Sequence, residues 1–527
     1  MAKQKKEKSV KSEKQVNIDE IIGKYFWLVV PVLTLIYYWL STVSVGFYQD
    51  DEIAQYLNAV KFRVDPFSIL GNNPKPGWKI FLIIPALFDY KAVLFFNAFI
   101  ASLSVYFTFL LIREYKINYA FFGALLLAFQ PLFFDLSFRA YSEIFTSLLL
   151  VVFLLLYKKE KFLLAGLLSG YIFTIRQEIA VFCAFLFILF IYRKQIIPAL
   201  SIIVFPLLYN ILGFIKTGDM LFILTEMKSV ASLTYNTQGI FHYFKIYIFI
   251  VGPVCFTLFL EGFFGFFSDT KKFKDYINNY LLMYILFVTV FAVQIYTMWN
   301  NGPNPGNWRY LLHISPIAVI FAAIGLNNLV LPNFRKVHIS ITAFVFFVTL
   351  LFLSKGTDGF KMLETTDYTK VFIIAVFFLL TFMIPSVSKN KYLNTLSVIL
   401  IIVSVSYLYA DFKPKQLSPE NQTVKSVAES LNGKTFEGNF YTNHSVLLFY
   451  LNGYKENPVK FLPLNSKYIN DAPKGSVFVW ESHYGYRPEF QNDIKIESFQ
   501  NNPDYNIVNQ YLSLDKRFAA YIIEKVK

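Results

Sequence analysis

Cysteine is nearly absent. The two present, Cys183 and Cys255, each sit inside an apolar run. That excludes a disulfide framework or a thiolate metal centre, and reads both as small core residues. Histidine is scarce, with five in 527 residues and none at a metal-ligand spacing. Charged residues make up 16% of the chain, against about 25% in ordinary soluble proteins. The first 24 residues lack the apolar stretch and cleavage site of a signal peptide; polar and rich in lysine, they read as a disordered cytoplasmic tail.

Apolar surface, by contrast, is abundant. The chain is 55% hydrophobic, with 60 Phe and 35 Tyr and a mean hydropathy of +0.46. Many runs reach the ~17–25 residues that cross a bilayer as helix. A polytopic α-helical membrane protein follows, because helices satisfy their own backbone groups in lipid. The pattern predicts thirteen spans, at 25–45, 92–112, 118–135, 143–157, 162–175, 179–192, 196–215, 243–267, 277–299, 310–331, 338–354, 370–387 and 391–410. The short ones between 143 and 192 suggest helices that stop below the outer surface and leave a cavity.

The net charge of +14 points to lysines held at the cytoplasmic side rather than to nucleic acid. With the tail inside, the inner loops carry Arg113 and Lys116; Lys158, Lys159 and Lys161; Arg193 and Lys194; Lys271, Lys272 and Lys274; Arg335 and Lys336; Lys389 and Lys391. Thirteen spans then put the C-terminus outside, in a plasma-membrane protein.

The first outer loop (46–90) opens on three adjacent acids, Asp50, Asp51 and Glu52. An amphipathic run follows, with Ile53, Tyr56, Leu57, Val60 and Val64 on one helical face. Asp50 or Asp51 is placed to cap this helix, which could lie in the headgroup layer. Lys75 and Lys79 follow in a stretch broken by proline and glycine. GNNPKPGWK lacks the spacing and the Ser/Thr of a phosphate loop. The other outer loops hold Asp135, Arg139 and Glu143; Arg176 and Glu178; and WNNGPNPGNWRY with Arg309. Ionisable groups at membrane depth usually face an internal cavity with a partner; the bland alternative for Arg139–Glu143 and Arg176–Glu178 is structural ion pairs or snorkelling side chains. Gly166 and Gly170 mark close helix packing, and the polar stretch from Lys216 to His242 reads as a loop able to cover a cavity.

Residues 25–410 thus form a membrane domain, and at about Asp411 the composition turns polar. Over 411–527 a helical stretch (Pro419 to Leu431) precedes short apolar runs at Asn439–Tyr441, Val459–Leu462, Val477–Trp480, Ile507–Tyr511 and Ala519–Ile523. HSVLLFYL between the first two reads as helix. This predicts a small extracytoplasmic α/β domain, in which His444 and His483 are expected to be ordinary histidines.

QDDEIAQYLNAVKF resembles the first-loop acidic motif of the GT-C membrane glycosyltransferases, most closely the family 22 mannosyltransferases. Asp51 and Glu52 fall on its acidic pair; Gln49 and Asp50 stand where it has His and Pro. FRAYSEIFTSLLL, AGLLSGYIFTIRQEIAVF and GNWRYLLHISP are similar to later motifs of that family. NPKPGWKIFLIIP is similar to the corresponding loop of bacterial protein-mannosyltransferase-like and aminoarabinose-transferase-like enzymes. The resemblance covers about residues 45–320. It implies transfer of a sugar from a polyprenyl-phosphate donor to a glycan, lipid or protein acceptor, as in building a cell-envelope glycan.

Within that reading Asp51 is the base by motif position, with Glu52 and Asp50 beside it. Arg176, Arg309 and Arg139, with Lys75 or Lys79, would meet the donor phosphate, because guanidinium donates two parallel hydrogen bonds to phosphate oxygens. Glu143, Glu178 and Tyr310 would support them. One base and direct displacement imply inversion at the anomeric carbon. No cofactor is required, although Asp50, Asp51 and Glu52 offer hard oxygen ligands to a divalent cation. The competing reading is a transporter or flippase of a lipid-linked saccharide; such proteins often show internal repeats, and this sequence shows none.

Overall fold

The computed structural model describes residues 18–71, 75–268, 273–299, 301–329, 340, 344, 390–488 and 492–527. Among these, six helices are long and apolar enough to cross a membrane: Ile22–Val43, Tyr90–Glu114, Ile196–Thr217, Phe273–Trp299, Trp308–Asn328 and Leu393–Asp411. His242–Val251 and Pro253–Phe263 form a seventh crossing if taken together, bent by 115°. The bend has a local cause. Gly252 has φ +82° and ψ 155°, a region open to residues without Cβ. Pro253 lacks an N–H and disfavours helix in the residue before it.

The thirteen expected spans are therefore not matched one for one. Span 118–135 is two helices, Ala120–Ala128 and Pro131–Leu136, broken ahead of Pro131. Phe162–Phe173 and Ala180–Tyr192 have 12 and 13 residues, short of the ~20 a bilayer needs. Spans 338–354 and 370–387 lie outside the described residues. Conversely, Pro76–Phe88 is an apolar helix in a stretch the sequence reads as loop. Its Pro76 occupies the first helical position, where a missing N–H costs nothing. The stretch after Lys216 also contains a helix, Phe222–Ala231.

Small residues let backbones touch inside the bundle. A Cβ on Gly166 would lie 2.4 Å from the Pro198 carbonyl oxygen, and one on Gly170 would lie 2.0 Å from that of Ile202.

The acid-bearing helix runs from Asp51 to Lys61. Its expected apolar face is buried at Ile53, Tyr56, Leu57 and Val60, while Val64 lies beyond the helix end and is exposed. Glu52, Gln55 and Ala59 are buried too, so this helix is enclosed rather than floating among headgroups. The C-terminal domain covers it: Phe449, on the Ser445–Tyr450 helix, packs edge-on against Tyr56 at 5.9 Å and Tyr90 at 5.0 Å.

That domain has the expected α/β character. The Pro419–Leu431 helix is capped by Ser418, whose hydroxyl accepts from the Asn421 N–H at 3.1 Å. Its Val424, Val427, Ala428 and Leu431 are buried. Strands β1 (Phe440–Tyr441), β2 (Phe461–Leu462) and β3 (Val477–Glu481) are followed by the pair β4 (Tyr486–Arg487) and β5 (Asn492–Asp493). The long strands β6 (Tyr505–Leu512) and β7 (Ala519–Lys525) come last. Five of these form one sheet in the order β2-β1-β3-β7-β6. The β1 pairings are parallel, and those of β7 with β3 and β6 are antiparallel. Its entry is stitched to the end of the first span. The Gly46 N–H donates to the Lys415 carbonyl at 2.8 Å, and the Lys415 N–H donates to Ser44 Oγ at 2.8 Å.

Candidate active site

The three adjacent acids turn to three different partners. Glu52 is buried and accepts from Arg139 at 3.2 Å and from the Tyr90 hydroxyl at 3.3 Å. Burial pushes its carboxyl above the usual range, against the pull of Arg139. Asp51 accepts from Arg309 and is half exposed. Asp50 holds the N-cap position but makes no side-chain cap; its carboxylate accepts from the Tyr484 hydroxyl at 2.8 Å instead. A phenol of the C-terminal domain thus takes the group that was expected to close the helix.

Glu143, fully buried in the first turn of the Ser142–Lys158 helix, organises the arginines. It accepts from Arg176 at 2.9 Å and from Arg309 at 3.4 Å. Arg176 also donates through Nε to Glu178 at 2.7 Å. The alternative of an Arg139–Glu143 ion pair does not hold. Arg139 lies in the turn between helices, where spacing by four does not align side chains. It goes to Glu52, the Gly46 carbonyl at 2.8 Å and Ser44 Oγ at 3.1 Å. Aromatic faces flank the arginines. Arg309 lies over Tyr141 at 4.6 Å and Tyr310 at 5.3 Å, and Arg176 over Tyr310 at 5.4 Å.

Each of these charges stands at a break in a helix. Arg176 occupies the turn before Ala180–Tyr192. Arg309 lies in the Trp308–Ile314 helical turn, just after a loop segment that Asn304 holds in shape. The Asn304 amide donates to Gln294 Oε1 at 2.9 Å, and its carbonyl oxygen accepts from the Gly306 N–H at 2.8 Å. Lys75 donates to Ser142 Oγ at 3.3 Å. Burial, aided by Arg176, lowers its ammonium to about 8. Lys79 is fully buried and donates to Gln55, enclosed rather than facing the arginines.

A cavity of about 350 Å³ opens beside Asp51. The first loop lines it with Gln49, Asp50 and Asp51, and the C-terminal domain with Ser418, Glu420, Asn421, His483 and Tyr484. Sequence reasoning missed the second set. His444 is a buried histidine and His483 a partly buried one, and both are directed at Glu420 Oε1, at 3.1 Å and 2.7 Å. Although burial opposes it, these two hydrogen bonds hold the Glu420 carboxyl down at about 2. The hydrogen bond to Glu420 in turn raises the His483 imidazole, against its burial. Glu481 shapes the turn after β3 by accepting from the backbone N–H groups of His483 at 2.7 Å and Tyr484 at 3.0 Å. His313 was also missed, although it lies in the GNWRYLLHISP motif; it is fully buried, and neither ring nitrogen has a hydrogen-bond partner.

The bent and interrupted helical bundle, the acidic helix after the first span and the α/β domain packed over it together make up a fold already seen in solved structures. Two solved structures share it: ArnT from Cupriavidus metallidurans bound to undecaprenyl phosphate, and the same protein in the apo state. Each is matched over 95% of this chain and 98% of its own, with a TM-score of 0.58 and 11% identity. No protein-family model and no curated protein sequence matches the chain.

Proposed function

We propose that this chain is a membrane glycosyltransferase that moves a sugar from a polyprenyl-phosphate donor to an acceptor hydroxyl at the outer membrane surface, inverting the anomeric carbon. One observation carries the reading: the contact between half-exposed Asp51 and buried Arg309, in a network where Arg309 and Arg176 share Glu143. It sets a carboxylate at the cavity beside two guanidinium groups that share one buried acid. A donor phosphate arriving at Arg309 and Arg176 would compete for Arg309 and free Asp51. Asp51 then takes the acceptor proton as the acceptor oxygen bonds to C1. The C1–O bond to phosphate breaks, and polyprenyl phosphate leaves with its charge met by the arginines. The likeness to a structure titled as bound to undecaprenyl phosphate supports the lipid class of the donor. The acceptor is a hydroxyl of a glycan, a lipid or a protein.

Protein purified into lipid nanodiscs is expected to release polyprenyl phosphate from a polyprenyl-phosphate hexose, dependent on acceptor, with the opposite anomer in the product. A chain that leaves all such donors intact but carries them across vesicle bilayers is a flippase, and the proposal fails.

Orientation gives a second test. The basic inner loops predict the N-terminus in the cytoplasm and residues 411–527 outside. Alkaline phosphatase, which folds only in an oxidising compartment, should be active when fused after Lys527. A C-terminal green fluorescent protein that matures in the cytoplasm would reverse the assignment.

A further inference from the structure

We propose that Asp50, Glu420 and His483 form a binding site for one divalent transition-metal ion, of the zinc or manganese type, at the seam between the first outer loop and the C-terminal domain. One ligand atom from each lies within 4.8 Å of the other two. Metal bonds of about 2.0–2.2 Å to nitrogen and oxygen set ligand atoms about 3.4 Å apart, so the Glu420–His483 hydrogen bond at 2.7 Å would open slightly and give way to the ion. The three come from separate parts of the chain: the start of the Asp51–Lys61 helix, the first turn of the Pro419–Leu431 helix and the turn after β3.

The surroundings are built as metal sites usually are. Tyr484 fixes Asp50 through its hydroxyl at 2.8 Å and stacks on the His483 ring at 4.0 Å between centroids. Such outer groups orient the ligands. His444, fully buried, directs one ring nitrogen at Glu420 while the other has no hydrogen-bond partner. Two imidazoles therefore converge on a single carboxylate oxygen. Neither Asp50 nor Glu420 has a lysine or arginine ion-pair partner among the described residues; the nearby cation is Arg487, over the Tyr484 ring at 5.2 Å. A mixed set of one imidazole and two carboxylates suits a first-row transition ion better than magnesium or calcium, which favour oxygen alone.

Three protein ligands leave a coordination position open. The cavity beside the cluster is also lined by Asp51, so an acceptor hydroxyl taken there by the ion would be made more acidic next to the base. That role rests on the function proposed above; the site itself does not.

The test uses the full-length protein in detergent, stripped with chelator and titrated with Co²⁺, whose visible absorption reports nitrogen and oxygen ligation without any sugar. One equivalent should bind, and Zn²⁺ should displace it. Glu420→Gln and His483→Gln should each weaken binding by about a hundredfold, the loss typical when a ligand or its support is removed. Asp50→Asn, which changes no residue of the C-terminal domain, should weaken it too and shift the spectrum. Absence of stoichiometric binding, or binding indifferent to all three substitutions, overturns the site and leaves a hydrogen-bonded clasp between domains. Metal binding without sugar transfer would count against the function proposed above and keep the site.

Discussion

Asp51→Asn should lower sugar transfer from a polyprenyl-phosphate donor by about 10²-fold or more, the usual worth of a general base, while donor binding is kept or improved. The sign of the second effect follows from the ion pair. In the free protein Arg309 is held by both Asp51 and Glu143. The asparagine keeps the size of the side chain but removes one competitor for the guanidinium, so a donor phosphate meets less resistance. The loss should fall on kcat, with donor KM unchanged or lower. Folding should be little affected, because Asp51 is half exposed and the buried partner of Arg309 remains. Initial rates against donor concentration separate the two constants. Transfer at the wild-type rate would reduce Asp51 to a surface counter-ion and remove the mechanism.

Arg309→Ala should act on the other constant. Its guanidinium is the one that touches both the buried acid and the half-exposed one. A charge-assisted hydrogen bond is worth about 1.5–3 kcal/mol, so kcat/KM for donor should fall about ten- to a hundredfold, mostly through KM. The fold should survive, since Glu143 keeps Arg176 at 2.9 Å. Arg309→Lys should restore only part of the loss, because an ammonium cannot present the paired N–H groups that fit a phosphate. A purified Arg309→Ala protein with wild-type donor KM and a lowered melting temperature would make Arg309 a structural counter-ion.

The residues of this network could be found in the sequence, but their pairings could not. Three acids after a span and single arginines in short loops stand out against an apolar background, because charge at membrane depth is costly. Which arginine meets which acid depends on helix breaks. Arg139 is four residues before Glu143 yet is bound to Glu52, and Glu143 serves two arginines from far along the chain. The strands of the C-terminal domain were legible from their apolar runs. Its chemistry was not, because Glu420, His444 and His483 approach one another only after the sheet has formed. Span lengths misled for a related reason. Hydropathy registers an apolar run, whereas Gly252–Pro253 and Pro131 decide where the axis turns.

The stitching of Ser44 and Gly46 to Lys415 also has a consequence for engineering. A Cβ on Gly46 would lie 2.1 Å from the Gln416 carbonyl oxygen, so the two strands of chain run against each other with no room for a side chain. The Lys415 ammonium adds a link to Asp135 at 3.7 Å. The C-terminal domain is therefore not a cassette that can be cut at Asp411 and exchanged. A chimera that imports a foreign domain must import its own version of residues 44–52 as well, or its graft junction will collide with the start of the first loop.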